Sequence, residues 1–371
     1  MQHSLSDLKQ MQSLSLESKV ALGNRRIDGF QNKYETYCSI SGGKDSEVLR
    51  HLCKKRDKNI LGVYVRNGME YPEVTEQALS HTNMIVLNPV MDHRSVLIKF
   101  GYPVISKDVS KIIYGARHSK DKKQNYLNRL DGINDDGTYS EFRQMYKKYK
   151  FLLDAPFEIS NRCCYYMKEK PCQDFEKETG LKPFVGTMAD ESQQRLNAWL
   201  KTGCNAFSGN RPMSKPLSVW TEQDILHYLT EHHDEMLESL KDEMREIGVS
   251  EEKIAEKKHP WATVYGEIVP KLDKKQVEGQ MDMFDLFNMM NDIPLTTTGC
   301  DRTGCVFCLY GANCQGDQRL VRLKETHPEY YDYMMRGGKF NEDHMWIPDK
   351  GLGMKFVIDW MNKKGGLDIQ Y

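Results

Sequence analysis

The segment Ser41-Gly42-Gly43-Lys44-Asp45-Ser46 constrains this chain more than any other. It follows the short apolar run Tyr37-Cys38-Ser39-Ile40 and precedes the helical pattern Glu47 to Leu52. A strand, a glycine turn and a helix start, in that order, make an anion site. Glycines let backbone amides face a phosphate with no Cβ in the way. The helix N-terminus adds free N–H groups and the positive end of a dipole. Ser41 and Ser46 bring hydroxyl donors, and Lys44 brings a mobile positive charge. The spacing differs from the nucleoside-triphosphate loop, in which two glycines five apart precede Lys-Ser/Thr. A tight strand–helix turn that is merely rich in Ser and Gly is the bland alternative.

The surrounding pattern predicts where that loop sits. Residues 4–35 read as helical, with Leu5, Leu8, Met11, Leu14 and Leu16 near a helical period. Strands are expected at 60–65, 84–87 and 184–188. Helices are expected at 72–80, 94–100 and 190–201. Such alternation implies a doubly wound α/β fold, a mostly parallel sheet with helices on both faces. Ligands then bind at the carboxyl ends of the strands, where the Ser41 loop lies. Four regions are expected: an N-terminal helical segment (1–35), a nucleotide-binding α/β domain (36–230), a helical insertion (231–292) and a cysteine-rich C-terminal region (293–371). Within the insertion, 233–258 is dense in charge and reads as an exposed helical stretch. Met281, Met283, Phe284, Phe287, Met289 and Met290 read as one buried helix face.

Charge gives little direction, because the 371 residues carry a formal net charge of −1. From Lys107 to Arg129 there are seven Lys/Arg against two Asp/Glu. A solvated helix face, nucleic-acid contact and a phosphate-bearing substrate all fit that run. The polar N-terminus and the absence of a membrane-length apolar run lead to the expectation of a cytoplasmic protein with no membrane partner. Eleven histidines lack paired ligand spacing, so a histidine hydrolytic metal site is not supported.

Ten cysteines in such a chain point to metal or redox chemistry before disulfides. Cys38, Cys53, Cys172 and Cys204 carry no motif and read as packing residues. Cys163-Cys164 and Gly304-Cys305-Val306-Phe307-Cys308 form two pairs. Cys300, Cys305, Cys308 and Cys314 form a compact set of their own. Four thiolates suit a [4Fe–4S] cluster or structural Zn²⁺. Adjacent cysteines are unusual in a closed tetrahedral zinc site, which favours iron–sulfur.

Five ordered segments carry a family resemblance over roughly residues 25–335. The Ser41–Ser46 string resembles the pyrophosphate-binding loop of the PP-loop ATP pyrophosphatases, the adenine nucleotide alpha-hydrolase-like enzymes. Asn67-Gly68-Met69-Glu70-Tyr71-Pro72-Glu73 resembles the Asp-Thr-Gly-x-x-Phe/Tyr-Pro-Glu segment of the phosphoadenosine phosphosulfate (PAPS) reductase group, with Asn67 in place of the usual short polar pair. Gly186-Thr187-Met188-Ala189-Asp190-Glu191-Ser192 with Arg195 is similar to its Gly-x-Arg-x-x-Glu-Ser-x-x-Arg segment, Met188 replacing the first Arg. Lys215-Pro216-Leu217-Ser218-Val219-Trp220-Thr221-Glu222-Gln223-Asp224-Ile225 resembles the Pro-Leu-x-x-Trp-Thr-x-x-Asp-Val/Ile segment, read as scaffolding. Cys163-Cys164 with Lys168 and Pro171 resembles the cysteine pair of iron–sulfur sulfonucleotide reductases. The compact set is comparable to that of the iron–sulfur PP-loop subunit of bacterial DNA phosphorothioation systems.

The resemblance implies ATP with Mg²⁺, cut between the α- and β-phosphates. It implies catalytic roles for Lys44, Asp45 and Ser46, and nucleotide contacts from Ser39, Ser41, Gly42, Gly43, Lys44, Asp45, Ser46, Asn67 and Glu70. Substrate contacts fall to Glu191, Ser192 and Arg195, and metal ligation to Cys163, Cys164, Cys305 and Cys308, with Cys300, Cys305, Cys308 and Cys314 the alternative set. The partners implied are an adenine nucleotide, a sulfur acceptor of open identity with nucleic acid among the candidates, a sulfur-donor protein, and a second copy in a homodimer. Three functions follow: ATP-dependent adenylyl transfer coupled to sulfur transfer, sulfonucleotide reduction to sulfite, and a nucleotide-binding regulatory subunit. Reduction in this family uses a nucleophilic cysteine on the C-terminal tail. The last cysteine here is Cys314, so adenylyl transfer is the expectation. Arg302, Arg319, Arg322, Lys324 and His327 around the cysteine loop suit either an anionic substrate or a solvated surface.

Overall fold

A computed structural model describes residues 3–134, 136–209, 211–271 and 294–371. The Met-rich stretch expected to form a buried helix face lies outside them. The chain divides into two compact units. The first contains Met1–Arg66, Glu70–Leu87 and Cys172–Thr303; the second contains Asn67–Met69, Asn88–Pro171 and Gly304–Tyr371. Among the described residues no helix is long and apolar enough to cross a membrane.

Strands β1 (Thr36–Ile40), β2 (Leu61–Val65), β3 (Met84–Leu87), β5 (Lys182–Phe184), β6 (Asn205–Ala206) and β7 (Met213–Ser214) form the sheet of the first unit, with β4 (Val104–Ile105) lying in the second. The sheet order is β3-β2-β1-β5-β7-β6. Every pairing is parallel except β6 with β7. The α/β reading with a mostly parallel sheet therefore holds. Strand order reverses at β1, with β2 on one side and β5 on the other, so the loop after β1 opens at the switch point where such sheets bind ligands. Tyr37, Cys38 and Ile40 of β1 are buried, as a central strand covered on both faces requires. Gly62 lets β3 approach closely: a Cβ there would fall 2.0 Å from the Met84 sulfur.

Two sequence expectations change. The strand expected over 184–188 ends at Phe184, and the following helix starts at Gln193 after a short 3-10 turn, Ala189–Glu191. Local hydrogen bonds decide this. Glu191 accepts from the Met188 amide at 2.7 Å, and Ser192 caps the helix by accepting from the Arg195 amide at 3.3 Å. The charged stretch 233–258 is helical over His233–Glu246 and Glu251–Glu256, but it is not simply exposed. Met236, Leu237, Leu240, Met244 and Ile254 are buried. Buried Glu243 takes ion pairs from Arg50 at 2.5 Å and Lys54 at 2.7 Å. Strand β8 (Ile268–Pro270) pairs antiparallel with β9 (Leu295–Thr297) in the same unit.

In the second unit β4 pairs in parallel with β10 (Leu309–Tyr310), tying the cysteine loop to the helix Lys107–His118. The basic run lies on that helix and on Lys123–Leu130. Its Arg117 turns inward and donates to the carbonyls of Leu152, Leu153, Ala155 and Phe157, satisfying the open end of the 3-10 helix Lys147–Asp154.

Candidate functional site

The Ser41 loop is built by its glycines and its own side chains. Gly42 has φ +74°, and a Cβ there would lie 2.0 Å from the Val74 carbonyl oxygen, so only glycine fits. Gly43 is the N-cap of the helix Lys44–Arg56 and offers no side-chain cap. Ser46 holds the loop closed, donating its hydroxyl to the Gly43 carbonyl at 2.7 Å and accepting from the Ser41 amide at 3.2 Å. The Gly43 amide points to the Ser41 hydroxyl at 3.3 Å. Ser39 lies on β1, half-buried, two residues before the loop.

Lys44 is the centre of this site, with its side chain only 2 % exposed. Its Nζ lies 2.9 Å from Glu222 Oε1, 3.8 Å from Asp45 Oδ1 and 5.2 Å from the Tyr265 ring centroid, and donates to the Asp301 carbonyl at 3.0 Å. Burial alone favours the neutral amine, but Asp45, Tyr265 and Glu222 outweigh it and raise the pKa, so the ammonium persists. Burial raises the Asp45 pKa, with Glu222 adding to it, while Lys44, Arg195 and Arg302 oppose the shift. Asp45 Oδ1 is buried and has no hydrogen-bond partner among the described residues. The Lys44 amide donates to the Tyr265 hydroxyl at 3.3 Å, and that hydroxyl also bonds Thr303.

Three of the sequence segments converge here. Gly186 packs against the loop, since a Cβ there would sit 3.2 Å from the Asp45 carbonyl. The Ala189 amide donates to the Ser218 carbonyl at 2.9 Å, which joins the Gly186 segment to the Pro216 segment. The Pro216 segment then supplies Glu222 to Lys44. Arg195 is paired with Glu191 and feels Asp45 and Arg302. Ser192 is exposed and is spent on its helix cap. Asn67 belongs to the second unit, where its side chain accepts from the Met69 amide at 2.9 Å; Glu70 is buried in the first. Glu222 was read as scaffolding, and Tyr265, Asp301 and Thr303 carried no signal. Glu222 alone was traceable, since it sits inside a quoted segment directly after the helix cap Thr221.

The cysteines divide between the units. Cys300 lies in the first, buried, its amide bonded to the Val264 carbonyl at 2.9 Å. Cys163, Cys164, Cys305, Cys308 and Cys314 lie in the second. Among the described residues no three Cys, His, Asp or Glu side chains stand ready-made as a metal cage. Four thiols are nevertheless near enough to influence each other. Burial first, then Cys305, Cys164 and Cys308, push Cys163 up. Burial and Cys305 push Cys308 up to about 12. Burial raises Cys164 too, with Cys305 adding and Lys107 opposing. Cys314 is exposed. Directly after Cys163-Cys164 the chain takes one π-helical stretch, Tyr165–Glu169, a local irregularity common at functional sites. Of the cationic residues near the loop, Arg319 is bound to Asp317 at 2.6 Å.

These features define an α/β unit built on a mostly parallel sheet, with a glycine-built loop and a buried lysine at its switch point. No family model matches the chain, and no curated protein matches it. Among solved structures it is similar to phosphoadenylyl-sulfate (PAPS) reductase from Candida auris, determined as a phosphate complex. That similarity has a TM-score of 0.32 and 13% sequence identity, and covers 62% of this chain and 88% of that one.

Proposed function

We propose that this chain is a PP-loop enzyme of the PAPS reductase family that binds ATP and transfers its adenylyl group in a reaction coupled to sulfur transfer. One observation carries the reading: a buried, charged Lys44 stands at a glycine-built helix N-terminus beside Asp45, whose buried Oδ1 has no hydrogen-bond partner among the described residues. A pyrophosphate leaving group fits that arrangement. The acceptor's oxygen attacks the α-phosphorus, the bond to the bridging oxygen breaks, and pyrophosphate departs. Lys44 stabilises the charge growing on that oxygen. The Asp45 oxygen suits the Mg²⁺ that rides on the triphosphate. A sulfur nucleophile then displaces AMP from the adenylated acceptor. Positioning accounts for most of such catalysis, so few protein groups need to react.

The cluster implied by the motifs fits the second unit's donor set. Cys163, Cys164, Cys305 and Cys308 bring four thiols from two chain segments of the second unit. Iron–sulfur is the reading we favour, with zinc as the alternative. When bound, such a cluster supplies sulfur activation or redox chemistry. Burial raises the pKa of Cys163, Cys164 and Cys308, so loading would release their protons.

The test is ATP turnover by the purified chain, followed as AMP and pyrophosphate. Lys44→Ala and Asp45→Asn should each lower it about 100-fold or more. Turnover that survives both changes sinks the reading, and wild-type protein that binds ATP without any turnover supports the regulatory alternative.

A further inference from the structure

The second unit holds a cleft of about 720 Å³ that none of the reactions above uses. Phe307 forms part of its wall, and Phe307 lies between Cys305 and Cys308 in the chain. The helix Pro328–Met335 supplies Tyr330 and Tyr333. Glu329, Asp332 and Arg336 stand exposed at the rim, with Asp332 and Arg336 paired at 3.2 Å. Residues 329, 332, 333 and 336 share one face by helical spacing. None of the lining residues comes from the Ser41 loop.

Ring geometry narrows the ligand. His93 and Phe307 lie 6.1 Å apart with planes 13° from parallel, and Phe307 and Tyr330 lie 5.8 Å apart at 23°. Tyr333 meets Phe307 edge-on at 62°. Three rings therefore run in near-parallel succession, from buried His93 to half-buried Tyr330. A cage for an ammonium ion needs rings that surround it in different planes, and here Tyr333 alone departs from the series. A near-parallel series is instead extended by another flat ring. The rim adds edge recognition. Carboxylates of Glu329 and Asp332 accept from amino groups, and the Arg336 fork donates to ring nitrogens or carbonyl oxygens.

We propose that this cleft binds a nucleobase, stacked on the Phe307–Tyr330 series and read at its edge by Glu329, Asp332 and Arg336. Cytosine and guanine present an amino group and a carbonyl on one edge and fit best; thymine lacks the amino group and fits worst. The base comes either from a free nucleoside or from an unpaired position in a single strand, where stacking on aromatic side chains is the usual anchor. The role of this base as sulfur acceptor rests on the function proposed above, whereas its binding does not.

The experiment titrates the full chain with cytidine, guanosine and thymidine by calorimetry, and with a short fluorescein-labelled single-stranded oligonucleotide by anisotropy. Tyr330→Ala should weaken cytidine and guanosine binding roughly 5- to 100-fold, and Tyr330→Trp should retain it. Asp332→Asn should narrow the gap between cytidine and thymidine. Lys44→Ala should leave base binding unchanged. An oligonucleotide bound more than about tenfold tighter than the nucleosides supports the site and identifies nucleic acid as the source; equal affinity supports it with a nucleoside. Binding untouched by Tyr330→Ala but lost in Lys44→Ala would place the base in the ATP loop and overturn the proposal, as would no saturable binding at all. Base binding without AMP formation refutes only the adenylyl-transfer reading; AMP formation without base binding refutes only this one.

Discussion

The Lys44 ammonium and the Glu222 carboxylate are 2.9 Å apart, joining the first glycine-loop segment to a segment nearly 180 residues later in the chain. Glu222 follows the helix cap Thr221, so the same capping box that starts the helix Glu222–Glu231 aims its first acidic residue at the loop. Under the function proposed above, the carboxylate holds this lysine until a phosphate displaces it.

That pairing has a measurable consequence. Glu222→Gln removes the group that competes with pyrophosphate for Lys44. The affinity for inorganic pyrophosphate should rise about 3- to 10-fold, consistent with roughly 1 kcal/mol for a half-exposed partner in solvent. Calorimetric titration decides it. Weaker binding in the variant would mean that Glu222 helps to hold the anion, through a metal or a positioned lysine.

The cysteine assignment separates by substitution. Anaerobically purified Cys163→Ser, Cys164→Ser, Cys305→Ser and Cys308→Ser should each lose most bound iron and sulfide, and the absorption band near roughly 400 nm. Cys300→Ser and Cys314→Ser should keep them. Loss in the last two with retention in Cys163→Ser and Cys164→Ser would move the site to the compact set. Zinc without iron in the wild type would remove the redox reading altogether.

His93 makes the fold acid-sensitive. Burial lowers its pKa to about 4, and neither ring nitrogen has a hydrogen-bond partner among the described residues. The unfolded chain takes up a proton near pH 6.5, whereas the folded chain refuses it until about pH 4. Stability is therefore complete above pH 6.5 and is lost as the pH falls towards 4, by about 2 kcal/mol at pH 5 from this group. His51, also lowered to about 4 by burial, adds a similar loss. His93→Phe keeps a flat ring against Phe307 and should remove roughly half of the fall in thermal midpoint between pH 7 and pH 5. An unchanged slope would show that His93 is hydrated or already charged in the native state.

Glu243 holds a buried cationic cluster together. Burial opposes its charge, but His81, Arg50 and Lys54 outweigh burial and hold its pKa below the usual carboxylate range. The Thr82 amide adds a bond at 2.8 Å. Glu243→Gln takes the carboxylate from Arg50 and Lys54, leaving Arg50 the Thr82 carbonyl and His81 its bond to Glu47, and should cost about 3–5 kcal/mol, read as a drop in thermal midpoint. The wild-type contribution is present above the carboxylate's unfolded pKa and is lost as the pH falls below about 4.5. A change under about 1 kcal/mol would mean that solvent reaches the cluster.

The sheet was legible because β1, β2 and β3 are short apolar runs set off by turn residues, and the loop after β1 has a spacing with few structural uses. The 184–188 strand was misjudged because apolar residues Val185 and Met188 continue the pattern, while side-chain caps from Glu191 and Ser192 end it. Those caps compete through local hydrogen bonds that hydrophobic periodicity does not register. The burial of Met236, Leu240 and Met244 was hidden by the charges between them, since Glu243 is itself interior and paired. At the site, Lys44 was readable from its neighbours in sequence. Tyr265 and Asp301 were not, because their closeness to Lys44 is created by the tertiary fold.

The second unit is assembled from three separate stretches of chain, and its two cysteine pairs are divided by residues 165–304. A ribosome adding about 5–20 residues per second therefore exposes Cys163 and Cys164 roughly 7–28 s before Cys305 and Cys308. Any four-thiol centre drawn from both pairs is a late event of synthesis. If the proposed centre forms, the first pair is half a site during that interval, open to oxidation or to a wrong metal, and its protection falls to whatever shields a nascent chain.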